Sequence, residues 1–240
     1  MVQDSKLRFR IFKNNLLYWV VCILSGLTAI PLLAILGEVL IKGWEQLGWS
    51  FLTEATPNAY KAMMAMQAGE TIPGGIANGI VGTFLMLFLA AIVAIPVGIF
   101  CGICLSEYKG NWFATLVSYL TDLLQGTPSI IIGIITYIWV VVPMKGYSAF
   151  AGSVALFIMM LPLIIRSTEE TMKILPDTLK EAGLALGGSY WRVMLQVMLP
   201  SAFGSIFTGI LLAISRVVGE TAPLMFTALG GAAISWNMGK

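Results

Sequence analysis

Residues 84–104 read FLMLFLAAIVAIPVGIFCGIC, an unbroken run without a charged or strongly polar side chain. About 20 apolar residues are needed to cross a bilayer core roughly 30 Å thick, and this stretch supplies them. It is read as a membrane-spanning helix. The segment just before it, TIPGGIANGIVGT (71–83), is rich in glycine and holds Pro73, so it is expected to be a lead-in outside the bilayer.

Further spans follow on either side. Leu16 to Leu36 is charge-free and follows the basic KLRFRIFKNN. It exceeds the 7–15 residue apolar core usual in a secretory signal, so an uncleaved first span is the reading. A third span is expected over Leu123 to Val142, a fourth over Ser148 to Ile165, and a fifth after Pro200 reaching at least Gly219. Asp122 and Gln125 stand at the boundary of the third span, and Thr127 and Ser129 behind them are weak candidates for a passage. Trp44, Trp49, Trp112 and Trp139 suit interfacial belts, and KAMMAMQAG (61–69) suggests an external helix.

Composition agrees. Of 240 residues, 58% are hydrophobic and only 11% charged, with a mean hydropathy of +0.88. Soluble domains carry about 25% charged residues. The class expected is therefore all-α, a polytopic membrane helix bundle. A net charge of +2 is too small to imply nucleic acid. No histidine is present, which removes the commonest acid/base group and metal ligand. The cysteines are Cys22, Cys101 and Cys104, and the last two lie in an apolar run without a second ligand pair, so no disulfide framework or metal site is expected.

Positive charge sets the orientation. Lys6, Arg8, Arg10, Lys13, Lys109, Arg166, Lys173, Lys180 and Arg192 fall on one side, Lys42, Lys61, Lys145 and Lys240 on the other. The N-terminal segment 1–15 and the polar connection 166–199 are thus expected in the cytoplasm, and 16–240 is expected to form one membrane domain. Within the connection, Leu175, Leu179, Ala182 and Leu186 recur on one helical face. Pro176 suits a first helical position, Asp177 and Glu181 suit the early turns, and Gly187 and Gly188 offer a stop. A short amphipathic helix of about eleven residues is expected.

Two charges stand out in AISRVVGETAPLMF (213–226). At the centre of a lipid-exposed helix a charge costs roughly 2.5–3.5 kcal/mol. If 201–223 is one helix, Ser205, Gly209, Ala213, Arg216, Gly219, Glu220 and Pro223 share a small and polar face. Ile206, Phe207, Ile210, Leu211, Ile214 and Val218 share a bulky one, expected toward lipid. Arg216 and Glu220 then form either an internal ion pair or a place where an anion meets the chain. An i,i+4 pair in this order contributes only about 0.2–0.5 kcal/mol, which does not offset burial.

The loop EAGLALGGSYWRVMLQVMLP (181–200) resembles the signature loop of ABC-importer permeases. That signature is Glu-Ala-Ala, three residues, Gly, nine residues, then aliphatic-x-Leu-Pro. Glu181, Ala182, Gly187, Val197, Leu199 and Pro200 match it, while Gly183 replaces its third small residue. TGILLAISRVVGETAPLMFTALG, PSIIIGIITYIWVVV and LPLIIRSTEETMKILPDTLKEAGLALG resemble the permeases of phosphate importers. The resemblance implies a MetI-like permease fold with about five of six expected spans, since the chain stops at Lys240. It implies a non-enzymatic subunit of an inner-membrane phosphate importer. Its partners would be a second related permease, two copies of a cytoplasmic ATPase carrying ATP and Mg²⁺, an external phosphate-binding protein and the bilayer. No cofactor is expected in this chain, which has no G-x-x-x-x-G-K-[ST] loop. Arg216, Glu220, Thr221 and Arg166 are the expected substrate-path residues. Glu181, Ala182, Gly183 and Gly187 are the expected ATPase-coupling residues. A permease for another oxyanion or small solute fits the same loop, and an ion-coupled transporter could use Glu220 as a proton site.

Overall fold

A computed structural model describes residues 2–44, 47–70, 72–108 and 110–230. Lys109 and Lys240, used in the charge count, and the final segment 231–240 lie outside the described residues, as does the side chain of Lys6. Among the described residues there are helices and no strands. Four helices are long and apolar enough to cross a membrane, or five if one bent pair counts as a single span.

The contacts divide the chain into two units. The first unit holds α1 (Val2–Gly43), α2 (Trp49–Thr53) and α3 (Ala59–Ala68). Helix α1 contains the expected first span and runs past both of its ends. Helix α3 is the methionine-bearing segment, and Gly69 at φ +70° closes it in the left-handed conformation that glycine adopts without strain.

The second unit comprises 54–56 and everything from Ile76 onward. Its helices are α4 (Ala77–Glu107), α5 (Trp112–Gly126), α6 (Ser129–Met144), α7 (Ala149–Ile174), α8 (Asp177–Ala185), α9 (Tyr190–Val218) and α10 (Ala222–Thr227). Helix α4 starts seven positions before the expected span. The glycines of its lead-in are helical from Ala77 on, and Asn78 ties that end down by hydrogen bonds to the Thr56 amide and hydroxyl.

Helix α7 is the centre of this unit, and α4, α5, α6, α9 and α10 all touch it. Its most extensive contact is with α4. Ala90, Ala94, Gly98 and Gly102 recur every four residues on α4 and are all buried. A Cβ on Gly98 would sit 2.7 Å from Ile164 Cγ2, and one on Gly102 would sit 2.6 Å from Thr168 Cβ and 2.7 Å from the Ile165 carbonyl oxygen. Lipid tails are as apolar as leucine, so helices in a bilayer associate through close packing, and small residues permit it.

Two expected helices are broken. The third span does not run straight from Leu123 to Val142: α5 and α6 meet at Thr127–Pro128 with a 106° bend. Pro128 has no N–H to donate and drives Thr127 out of the helical region, to φ −76° and ψ 130°. The Thr127 hydroxyl donates to the Leu123 carbonyl at 2.6 Å, satisfying one acceptor that the break frees. Likewise 201–223 is not one helix. Helix α9 ends at Val218, with Gly219 as its cap, and α10 starts at Ala222. Pro223 cannot donate to the Gly219 carbonyl, so no ladder bond bridges the break there. At its other end α9 begins at Tyr190, ten residues before the expected start, and carries a π turn over Met194–Met198.

The faces of α9 also differ from the expected division. Ala202, Ile206, Gly209, Ile210, Ala213 and Val217 are buried, while Ser205 and Arg216 are exposed. Ile206 and Ile210 turn inward against α7, with Gly209 closing over Ser167. A lipid-facing role read from their bulk is therefore corrected. Bulk fills the interhelical space here, and polarity alone does not decide which side faces in.

Candidate functional site: a cavity at two helix breaks

The two breaks meet around one cavity of about 230 Å³. Leu124, Gln125, Gly126, Thr127, Pro128 and Ser129 line it from the α5–α6 break, Ile132 from α6, and Met159, Pro162 and Leu163 from α7. Arg216 enters from the last turn of α9 and Glu220 from the α9–α10 break. Unwound backbone in a membrane protein is tolerated where it lines a cavity, because groups freed from the helix ladder can be hydrated there.

The chemistry of this cavity follows from its walls. Ser129 opens α6, so the first N–H groups of that helix have no intrahelical acceptor and form its partially positive end. Thr127 and Ser129 add hydroxyls, Gln125 an amide, and Arg216 a fixed positive charge with five N–H donors. Arg216 and Glu220 share the cavity, yet no salt bridge joins them among the described residues. The break at Gly219 is the reason. Glu220 is off the helical line that would have placed it one turn above Arg216. Thr221, also expected on a path, is the N-cap residue of α10 and lines a neighbouring cavity instead.

Arg166 has a different setting. Its guanidinium donates to Asp122 Oδ1 at 2.5 and 2.9 Å, to Glu169 Oε2 at 2.6 Å, and to the Ser118 carbonyl and hydroxyl at 3.1 and 2.8 Å. Lys173 completes the network on the other Glu169 oxygen at 2.5 Å. These bonds fasten α5 to α7 one turn before the α5–α6 break. Arg166 does not line the Arg216 cavity. Its donors are directed at Asp122, Glu169 and Ser118, away from the cavity that holds Arg216.

The amphipathic helix is α8, nine residues long, shorter than the eleven expected, with Pro176 as its N-cap and not its first residue. Leu175 and Leu179 pack on the hydrophobic core, while Leu186 is 90% exposed, so the apolar stripe is only half covered. Glu181 and Ala182 are exposed. Gly183 turns toward its own chain: a Cβ there would sit 2.7 Å from Val193 Cγ1. This explains why the residue is smaller than the alanine of the signature. Gly187 ends the helix at φ +82° with open space around it.

One cluster had no sequence signal. Glu107 at the end of α4 accepts from Lys180 of α8 and from the Tyr190 hydroxyl at the start of α9, with Lys180 also 5.5 Å above the Tyr190 ring. It joins positions 73 and 83 residues apart in the chain. Among the described residues, no group of His, Cys, Asp or Glu is arranged to hold a metal ion, and the three cysteines are free.

Known proteins resemble this chain along most of its length. The phosphate transport system permease protein PstA of Yersinia pestis is 39% identical over 199 residues, covering 82% of this chain and 64% of the relative. PstA of Haemophilus influenzae is 35% identical over 207 residues, 86% of this chain and 70% of the relative. The chain thus spans about two thirds of the length of these relatives. Among solved structures, the MetNI methionine ABC transporter in an inward-facing conformation superposes with a TM-score of 0.54 at 22% identity, over 70% of this chain and 77% of the matched one. That likeness establishes the fold, a MetI-like helix bundle. Residues 94–239 match the binding-protein-dependent transport system inner membrane component family. With more than half of its length in that match and 35% identity across most of the Haemophilus relative, the chain is a member of this family of multi-pass membrane transport components.

Proposed function

We propose that this chain is the permease subunit of an ATP-driven phosphate importer, with Arg216 contacting the anion as it crosses. The observation that carries the reading is the cavity at the two helix breaks. It brings an unpaired guanidinium, two hydroxyls, an amide and a helix N-terminus around one space. Phosphate bears between one and two negative charges near neutral pH, and a guanidinium fork binds its oxygens two at a time. The names of the relatives point to the same substrate.

In this reading a second related permease completes the passage, and an external phosphate-binding protein delivers the anion. Two copies of a cytoplasmic ATPase bind ATP and Mg²⁺. The exposed side of α8, with Glu181 and Ala182, is the surface offered to the ATPase, and in this reading α8 and the N-terminus both face the cytoplasm. Thr127 and Ser129 join the path. Arg166 holds α5 in place and takes no part in it.

The test is a set of three variants in the assembled transporter: Arg216→Gln, Glu220→Gln and the double. Arg216→Gln is expected to reach the membrane at normal abundance and to take up no phosphate, because the amide restores neither charge nor fork. The double is expected to remain inactive. Recovery of uptake in the double would show that Arg216 serves only to balance Glu220, and the reading would fail.

A further inference from the structure

Glu220 borders two cavities. One is the Arg216 cavity. The other, about 460 Å³, is lined by Asn78, Thr83, Met86, Thr221, Leu224 and Ala228 among others. Glu220 is the single described residue common to both linings. Across the two sets of described lining residues, Arg216 and Glu220 are the only charged side chains. The cation belongs to one chamber, and the carboxylate stands where the two adjoin.

A carboxylate is an unexpected thing to place on the route of an anion. It is an acceptor only, and it repels any bare oxyanion beside it. No salt bridge or side-chain hydrogen bond occupies Glu220 among the described residues, so its acceptor capacity is open. One property of the passing anion reverses the sign of the interaction, namely a proton. An O–H donor facing a carboxylate makes one of the shorter and stronger hydrogen bonds in proteins. We infer that Glu220 is a specificity-determining residue that accepts the hydrogen of a protonated oxyanion while Arg216 holds its bare oxygens. The inference rests on the proposed role of Arg216. It narrows the substrate class to oxyanions that keep a proton at neutral pH, as phosphate does, against those that do not, as sulfate.

The chemistry resembles recognition sites that discriminate by a hydrogen-bonding group held ready for the ligand. A ligand lacking the matching group leaves that partner unsatisfied, and here it also meets a like charge. Replacement of the carboxylate by an amide removes the discrimination. The glutamine side chain can donate to a bare oxygen or accept from a protonated one.

The test uses the assembled transporter in membrane vesicles, with Cys22, Cys101 and Cys104 changed to serine and Leu124→Cys as a reporter in the cavity wall. The rate of reaction with a small thiol reagent is measured against rising phosphate or sulfate. With Glu220 in place, phosphate slows labelling, and sulfate needs a concentration about tenfold higher or more for the same protection. In Glu220→Gln the two anions protect within about twofold of each other. Glu220→Asp keeps the preference for phosphate, which guards against reading a folding defect as lost selectivity. Equal protection by both anions with Glu220 intact overturns the inference, as does a phosphate preference that survives in Glu220→Gln. If Arg216→Gln leaves phosphate protection unchanged, or if neither anion protects the parent, the anion contact itself fails and this inference goes with it. Protection that needs Arg216 but ignores Glu220 sinks the inference alone.

Discussion

Arg166 and Arg216 each follow an apolar helical run in one chain, and the structure uses them in opposite ways. Arg166 is four-fifths buried at its side chain and bonded to Asp122, Ser118 and Glu169. Arg216 is exposed to a cavity and joined to no carboxylate among the described residues. The difference lies in the continuity of the helices around them. Helix α7 carries Arg166 and Glu169 through an unbroken turn, and α5 lies alongside to supply Asp122 and Ser118. Helix α9 stops two residues beyond Arg216, which separates it from Glu220 and opens space in front of it. A cation held between carboxylates of two helices fastens them. One whose donors are free in a polar cavity is available to a ligand.

The comparison breaks most readily at Arg166. Arg166→Gln leaves Glu169, its side chain only 6% exposed, with Lys173 as its one remaining cationic partner among the described residues. Removing one member of a buried pair costs about 3–5 kcal/mol. The expected outcome is a large fall in membrane abundance and in thermal stability of the solubilised protein, partly restored by adding Glu169→Gln. Arg216→Gln should show neither loss. If Arg166→Gln is stable and blocks uptake alone, the division between fastening and contact is wrong.

A smaller effect is expected where helices touch without charge. Gly102→Ala places a Cβ 2.6–2.9 Å from Thr168 and the Ile165 carbonyl, of which the backbone oxygen cannot turn aside. Overpacking of this kind costs about 1–3 kcal/mol. A melting curve of the solubilised protein reads it, and an unchanged midpoint would show that α4 and α7 are not held so closely.

The mildest expected change is at Gly187. At φ +82° any side chain adds backbone strain of about 1–2 kcal/mol, with open space around it. Gly187→Ala measures that strain alone. Gly187→Leu adds bulk beside the surface proposed to meet an ATPase, so on that proposal it should uncouple ATP hydrolysis from uptake where Gly187→Ala does not. Equal coupling in both would remove Gly187 from the docking surface.

The apolar runs disclosed four of the membrane helices. Ser148 could be read as the start of α7, which it caps by accepting from the Ala151 amide at 3.1 Å. The breaks were legible only in part. Pro128 and Pro223 are visible in the sequence, but Pro96 and Pro162 are too, and both lie inside continuous helices. Whether a proline breaks a helix in a membrane depends on what satisfies the freed carbonyl and what neighbours press on it, and neither is local. Glu107, Lys180 and Tyr190 gave no signal for the same reason, being far apart in the chain.

Composition and hydrophobic run length determined that this protein is a membrane helix bundle, because crossing a bilayer demands long apolar helices whatever the partners. The spacing of Glu181, Ala182, Gly187 and Leu199–Pro200, with the Arg216–Pro223 stretch, was enough to suggest the family. Only the tertiary structure decided which face of α9 turns inward, which arginine is taken and which is free, and that Glu220 stands between two chambers. Those outcomes depend on where helices end relative to one another. The hydrogen-bond ladder is a local rule, but what a broken ladder opens onto is set by the helices packed across from it.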